Sequence, residues 1–311
     1  MLRCWFLANG LKDWLSPRYE TEMPVPRAEQ RRHIAVFVLT AYALSIALSL
    51  VIGLTGGYRS EWIGLGYLSM VIPTVAVVIA NGMSAERPRT LDGRSLPLRY
   101  LPCALFLMPV VMHAVMLPTA AALGTLHWQA WLTKSADGLY HSPPDRGWGA
   151  LTSAGLSLRI ALNAIVGVIV VSALALFEEI GWRAWLLPRL SEFMTRRNAI
   201  LLSSVIWALW HVPYALAGIQ HLNGVPLVWT VFVLPVGVLG SGLVLGWFWM
   251  KTESLWILAI AHGALNNWGQ YAFKFIAGPG QTSDAVVLSS GSLALVTLGI
   301  ILCWTRLRPA A

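Results

Sequence analysis

Charge is scarce in this 311-residue chain: 12% of its residues are Asp, Glu, Lys or Arg, against 57% hydrophobic residues and a mean hydropathy of +0.64. So small a polar share excludes an ordinary water-soluble globule and leaves a polytopic membrane protein. Cysteine is nearly absent. Cys4, Cys103 and Cys303 lie far apart without a CxxC or other metal-ligand spacing, which removes any disulfide framework. Acidic residues are outnumbered, 14 to 22 basic, for a formal net charge of +8. The basic residues are scattered between apolar runs rather than gathered into a face with stacking aromatics, so the excess speaks for membrane orientation and against a nucleic-acid partner. No 20–50-residue repeat or low-complexity tract is present, and neither a solenoid nor an inverted-repeat transporter is supported. The first hydrophobic stretch, 4–11, is broken by Asn9 and Gly10 and lacks a small-residue cleavage site, unlike a secretory signal. Leu7, Leu11, Trp14 and Leu15 fall instead at helical spacing, which suggests a short amphipathic helix on the membrane surface.

Long apolar runs are what the chain has in abundance. A bilayer core of ~30 Å takes about 20 mostly apolar residues per helix. The sequence offers eight such stretches, at 33–56, 62–84, 101–123, 160–182, 198–219, 228–250, 254–276 and 286–305. The expected fold is all-α, a polytopic transmembrane helical bundle. Residues 1–32 form a cytoplasmic or interfacial tail, and 33–311 a single transmembrane domain. Basic residues concentrate on the cytoplasmic side of membrane proteins. With the N-terminus inside, every Lys and Arg except Arg59, Lys134, Arg146, Arg159 and Lys274 falls on that side, which places both termini in the cytoplasm. The longest loop, 125–157, carries Ser142-Pro143-Pro144-Asp145 and is expected outside as a cap, a docking surface or a connector. Trp62, Trp128, Trp131, Trp148 and Trp229 fall near helix ends, where an indole is an interfacial anchor.

Three polar clusters interrupt the apolar runs: Glu178-Glu179-x-x-x-Arg183, Trp207-x-x-x-His211 and His262-x-x-x-Asn266. An ionisable group in hydrocarbon costs roughly 2.5–3.5 kcal/mol on insertion scales, so clusters in three separate spans imply one shared polar site. Glu179 and Arg183, four apart, are neighbours on one helix face in a favourable order for an ion pair. Glu178 points about 100° away and must find its partner on another helix. Pro213, just beyond His211, frees the Leu209 carbonyl and bends the helix. His262 and Asn266 share a face, and Gly263 and Ala264 between them let another backbone come close. Asn267 points elsewhere and reads as a packing amide. His113 has no polar companion in register, and His33, His127, His141 and His221 lie near or outside the interfaces.

Glu178, His211, His262 and Asn266 together supply a base, a second water-positioning group and two oxyanion donors, the minimum for attack of water on an amide. Two histidines and a glutamate also match a zinc site, although no HExxH is present.

These residues resemble the CAAX protease and bacteriocin-processing family of glutamate-type intramembrane proteases. The likeness covers about 165–270, within a core of about 160–276. Its first motif is complete at Glu178, Glu179 and Arg183. Its second, usually phenylalanine then histidine, has Trp207 in the aromatic place and His211 intact, and its third is His262 with Asn266. The resemblance implies a metal-independent endopeptidase without cofactors in which Glu178 and His211 activate water. It implies that His262 and Asn266 stabilise the oxyanion, with Glu179, Arg183 and Trp207 in support. It further implies a peptide or protein substrate at the lipid bilayer, membrane-associated or lipid-anchored, and a place in a bacterial cytoplasmic membrane. Prenylation of the substrate does not follow from the motifs. Two other readings stand beside this one: a non-enzymatic scaffold or bacteriocin-immunity-type protein that keeps the cluster for folding, and a proton-coupled transporter, since Glu and His also line proton paths.

Overall fold

The computed structural model describes residues 26–82, 96–126, 133–141, 149–218, 227–276 and 282–305. The surface helix expected near residues 7–15, the Ser142–Asp145 segment, Trp128, Trp131, Trp148 and the side chain of Trp229 lie outside the described residues. Among the described residues eight helical rods carry the fold: α1 Arg27–Leu54, α2 Ile63–Gly82, α3 Leu98–Ala122, α4 Ser153–Ser191, α5 Arg196–Leu216, α6 Leu227–Thr252, α7 Leu255–Ile276 and α8 Thr282–Thr305. Among the described residues, seven are long and apolar enough to cross a membrane, all but α7. At 22 residues α7 is about 33 Å long, which also suffices for a ~30 Å core. The protein is an all-α, multi-pass membrane protein.

The rods alternate in direction, and side-chain contacts at their ends show it. At one face Gln30, near the start of α1, donates to Glu192 just past α4 (2.7 Å), and Arg31 lies over the Phe193 ring. Arg197, at the start of α5, donates to the Trp304 carbonyl near the end of α8 (3.0 Å). At the opposite face the end of α1 packs on the end of α5, with Gly53 and Gly57 against Ala217. Eight alternating rods therefore bring Arg27 and Thr305 to the same face.

Large apolar side chains such as Leu39, Leu54, Ile165, Ile169 and Phe232 point outward, as a lipid-facing surface requires. Inside, α4, α7, α3, α8, α6 and α5 pack in sequence as a ring, while α1 and α2 pair and close its side against α4 and α5.

Two rods depart from the simple spans. The fourth, expected at 160–182, runs from Ser153 to Ser191, 39 residues, about 58 Å at 1.5 Å per residue. It exceeds the bilayer core, so it tilts or projects, and it holds two π-helical stretches, Asn163–Gly167 and Ile180–Leu186. The wider turn of the second re-phases the rod, so that Glu178 and Glu179 before it and Trp185 and Leu186 within it are all buried. In α5 the helix is interrupted at His211, between Arg196–Trp210 and Val212–Leu216, where Pro213 cannot supply the amide that the Leu209 carbonyl would accept.

Within the long loop, three two-residue strands form a small antiparallel sheet: β1 Thr133–Lys134, β2 Tyr140–His141 and β3 Ala150–Leu151, with Thr133 opposite His141 and Tyr140 opposite Leu151. The hairpin turn closes through Asp137, which accepts from Ser135 and from the Leu139 amide (2.9 Å). The Ser135 hydroxyl and then that amide hold the Asp137 carboxyl below its usual range.

Candidate active site

The three polar clusters converge. Arg183 Nη1 donates to Glu179 Oε1 at 2.9 Å, the expected pair one turn apart, and both side chains are fully enclosed. His262 Nδ1 reaches the same oxygen from α7 at 2.8 Å. Glu178 finds its partner on another helix, as its position required: Trp207 Nε1 of α5 donates to its Oε2 at 2.8 Å. His211 Nδ1 lies 2.9 Å from the Trp207 carbonyl, four residues earlier.

These bonds fix which nitrogen carries a hydrogen. A carbonyl only accepts, so the Trp207 oxygen makes His211 Nδ1 the donor and leaves Nε2 as the acceptor of a neutral ring. A carboxylate too only accepts, so His262 Nδ1 is a donor in either charge state of the ring. Nδ1–H is committed to Glu179, and Nε2 is the nitrogen left for other partners.

The approach of α7 to α4 depends on the small residue between His262 and Asn266. A Cβ on Gly263 would lie 2.2 Å from Ser172 Oγ and 2.6 Å from the Ser172 amide nitrogen, so only glycine lets the two backbones meet there. One turn on, Asn267 donates to the Asn163 carbonyl at 3.1 Å, and Trp268 to that of Ala164 at 3.1 Å, tying α7 to the first π-helical stretch. Asn267 is the packing amide the pattern indicated. His113 is held within its own helix, Nδ1 against the Pro109 carbonyl at 2.6 Å.

A cavity of about 530 Å³ opens beside the cluster. Glu178, Trp207, His211, His262 and Asn266 all line it, whereas Glu179 and Arg183 stand behind the wall. Glu178, His211 and His262 are buried, and Asn266 is exposed at the opening. Most of the remaining wall is apolar: Met70 from α2, Met112 and Met116 from α3, Val233 and Leu234 from α6, Leu288 and Leu295 from α8. Among the described residues α1 contributes nothing to it. Among them too, no three of His, Cys, Asp and Glu gather closely enough to hold a metal ion.

Sequence reasoning missed Tyr214 and Trp210 of α5, which also line the cavity. Tyr214 follows His211 by three residues, helical spacing that could have flagged it. The walls from α2, α3, α6 and α8 gave no signal, because methionine, leucine and valine in a membrane span look alike whether they face lipid or a cavity.

What the fold and site define is a class: a multi-pass helical membrane protein with a buried glutamate–histidine cluster opening on an apolar cavity. Residues 158–268 match the family model described as Type II CAAX prenyl endopeptidase Rce1-like. The chain is similar to CAAX prenyl protease 2 of Methanococcus maripaludis, 28% identical over 130 residues, 41% of this chain and 46% of the relative. The match thus spans less than half the length of that relative. On these findings residues 158–268 are similar to that prenyl endopeptidase family, and the likeness lies over the three polar motifs.

Proposed function

We propose that the protein is an intramembrane endopeptidase that hydrolyses a peptide bond in a membrane-associated or lipid-anchored peptide. The observation that carries this reading is the meeting of Glu178, His211, His262 and Asn266, from three rods, on one cavity wall. In the proposed reaction, water lies between Glu178 and His211 Nε2. As its oxygen attacks the carbonyl carbon, its proton passes to this pair, and the carbonyl π electrons move to oxygen. His262 and the Asn266 amide donate to that oxyanion. With His262 Nδ1–H committed to Glu179, donation from Nε2 requires the imidazolium. The charges of Glu178, Glu179, Arg183 and that imidazolium then sum to zero, which suits an enclosed site. Collapse of the intermediate re-forms the carbonyl, breaks the C–N bond and returns the proton to the leaving amine.

The methionine, leucine and valine walls suit an apolar group next to the scissile bond and support a lipid-anchored or hydrophobic substrate. Comparison of peptide termini in membranes of cells carrying the native chain or Glu178→Gln tests the proposal. A terminus lost only in the variant, at equal protein abundance, supports it and identifies the substrate. Identical termini in both would sink it.

A further inference from the structure

Both members of the proposed water-activating pair are held by a single residue. The Trp207 indole donates from Nε1 to Glu178 Oε2 at 2.8 Å, and the carbonyl of the same residue accepts from His211 Nδ1 at 2.9 Å. The ring itself is locked. Arg183 Cζ stands 4.0 Å from its centroid on one face, and the His211 and His262 rings meet it edge-on, each 5.3 Å away. Trp207 is 2% exposed, and its ring touches residues of all three motifs.

The chemistry of the donor gives this contact a consequence. An indole N–H only donates, and it neither accepts nor ionises over the working pH range, unlike an imidazole. It therefore occupies Oε2 in every state of the reaction and leaves Oε1 as the oxygen free to take a proton. Phenylalanine, the usual residue at this place in the family pattern, would fill much of the same volume but leave Oε2 without this donor, and a buried carboxylate oxygen deprived of its partner reorients or recruits water.

We propose that Trp207 is a positioning residue for the reaction: its indole N–H pins one carboxylate oxygen of Glu178 and thereby aims the other at the water shared with His211. The exchange of phenylalanine for tryptophan in the second motif is then a functional difference and not a change of aromatic size. This inference rests on the hydrolase reading above.

The test separates the N–H from the ring. Full-length protein in phosphatidylcholine–phosphatidylglycerol nanodiscs is prepared with tryptophan, 5-fluorotryptophan or 3-benzothienylalanine at position 207. The last is an isostere with sulfur in place of the N–H. Each is assayed on a fluorogenic peptide bearing a prenylated cysteine fourth from its C-terminus. The expected result is a kcat lower by about 10- to 100-fold for benzothienylalanine, with KM changed by less than about twofold and the protein still folded at the assay temperature. The fluoro variant should match the native chain. Trp207→Phe should resemble benzothienylalanine in kcat, whatever it does to stability. Equal kcat for the benzothienyl and native proteins would overturn the positioning role alone, since a merely structural tryptophan needs only its ring. Failure of the native chain to cleave this peptide, together with identical membrane-peptide termini for the native chain and Glu178→Gln, would overturn the hydrolase reading and this role with it.

Discussion

The two halves of α4 are both largely apolar and live in different surroundings. From Ser153 to Val170 only Val168 is buried, and Ile165 and Ile169 are nearly two-thirds exposed. From Glu178 to Leu187 every residue except Ile180 is buried, including two glutamates, an arginine and two tryptophans. One half is solvated by lipid and needs no partner beyond its own backbone hydrogen bonds. The other is enclosed on all sides, so neighbouring rods supply the hydrogen bonds that its polar groups lose on leaving water. The lesson is that apolar character places a helix in the membrane but does not say which part of it meets lipid. The polar residues mark the enclosed half.

Substitutions can break or sharpen that contrast. The largest effect is expected at the cavity wall: Glu178→Gln should lower cleavage by about 10²–10⁴-fold while leaving membrane abundance unchanged, as measured by peptide turnover and immunoblot. Next comes the layer behind it. Arg183→Met leaves Glu179 enclosed beside His262 without its guanidinium and should cost about 3–5 kcal/mol in reversible unfolding in detergent. Adding Glu179→Gln to that variant should recover part of the loss, and no recovery would show that Arg183 acts by packing on Trp207 rather than by charge. Smaller again is the rod-to-rod contact: Gly263→Ala should cost about 1–3 kcal/mol by forcing α7 from α4. Ser172→Ala should not rescue it, because the Ser172 amide nitrogen is also in the way at 2.6 Å. At the bottom of the scale, Ile169→Ala on the lipid face should change stability by no more than about 0.5 kcal/mol. A loss of several kcal/mol there would mean that this half of α4 is covered by a partner.

Much of the fold is legible along the chain because span length and apolar content are local quantities. The eight expected stretches correspond to the eight rods, with the interruption at His211 foreseen from Pro213. The Glu179–Arg183 pair is legible for the same reason, being one helical turn apart. The π-helical turns of α4 were not, since such turns carry no composition of their own. Nor was the bond from Trp207 to Glu178, which joins residues 29 positions apart on different rods. The sequence placed Trp207 beside His211 as a supporting aromatic, and only the packing of α5 on α4 shows its N–H in use.

By itself, then, the order of residues determined that this is a multi-pass helical membrane protein, which spans carry polar groups, and which of those groups share a helical face. Tertiary structure alone decided that His262 and Arg183 meet on one oxygen of Glu179, that Glu178 is bonded through Trp207, and that methionines and leucines from four other rods wall the cavity. The physical reason is range. Hydropathy and helical spacing act over one turn or one span, whereas the orientation of a buried carboxylate is fixed by whichever donors the neighbouring rods bring within hydrogen-bond distance.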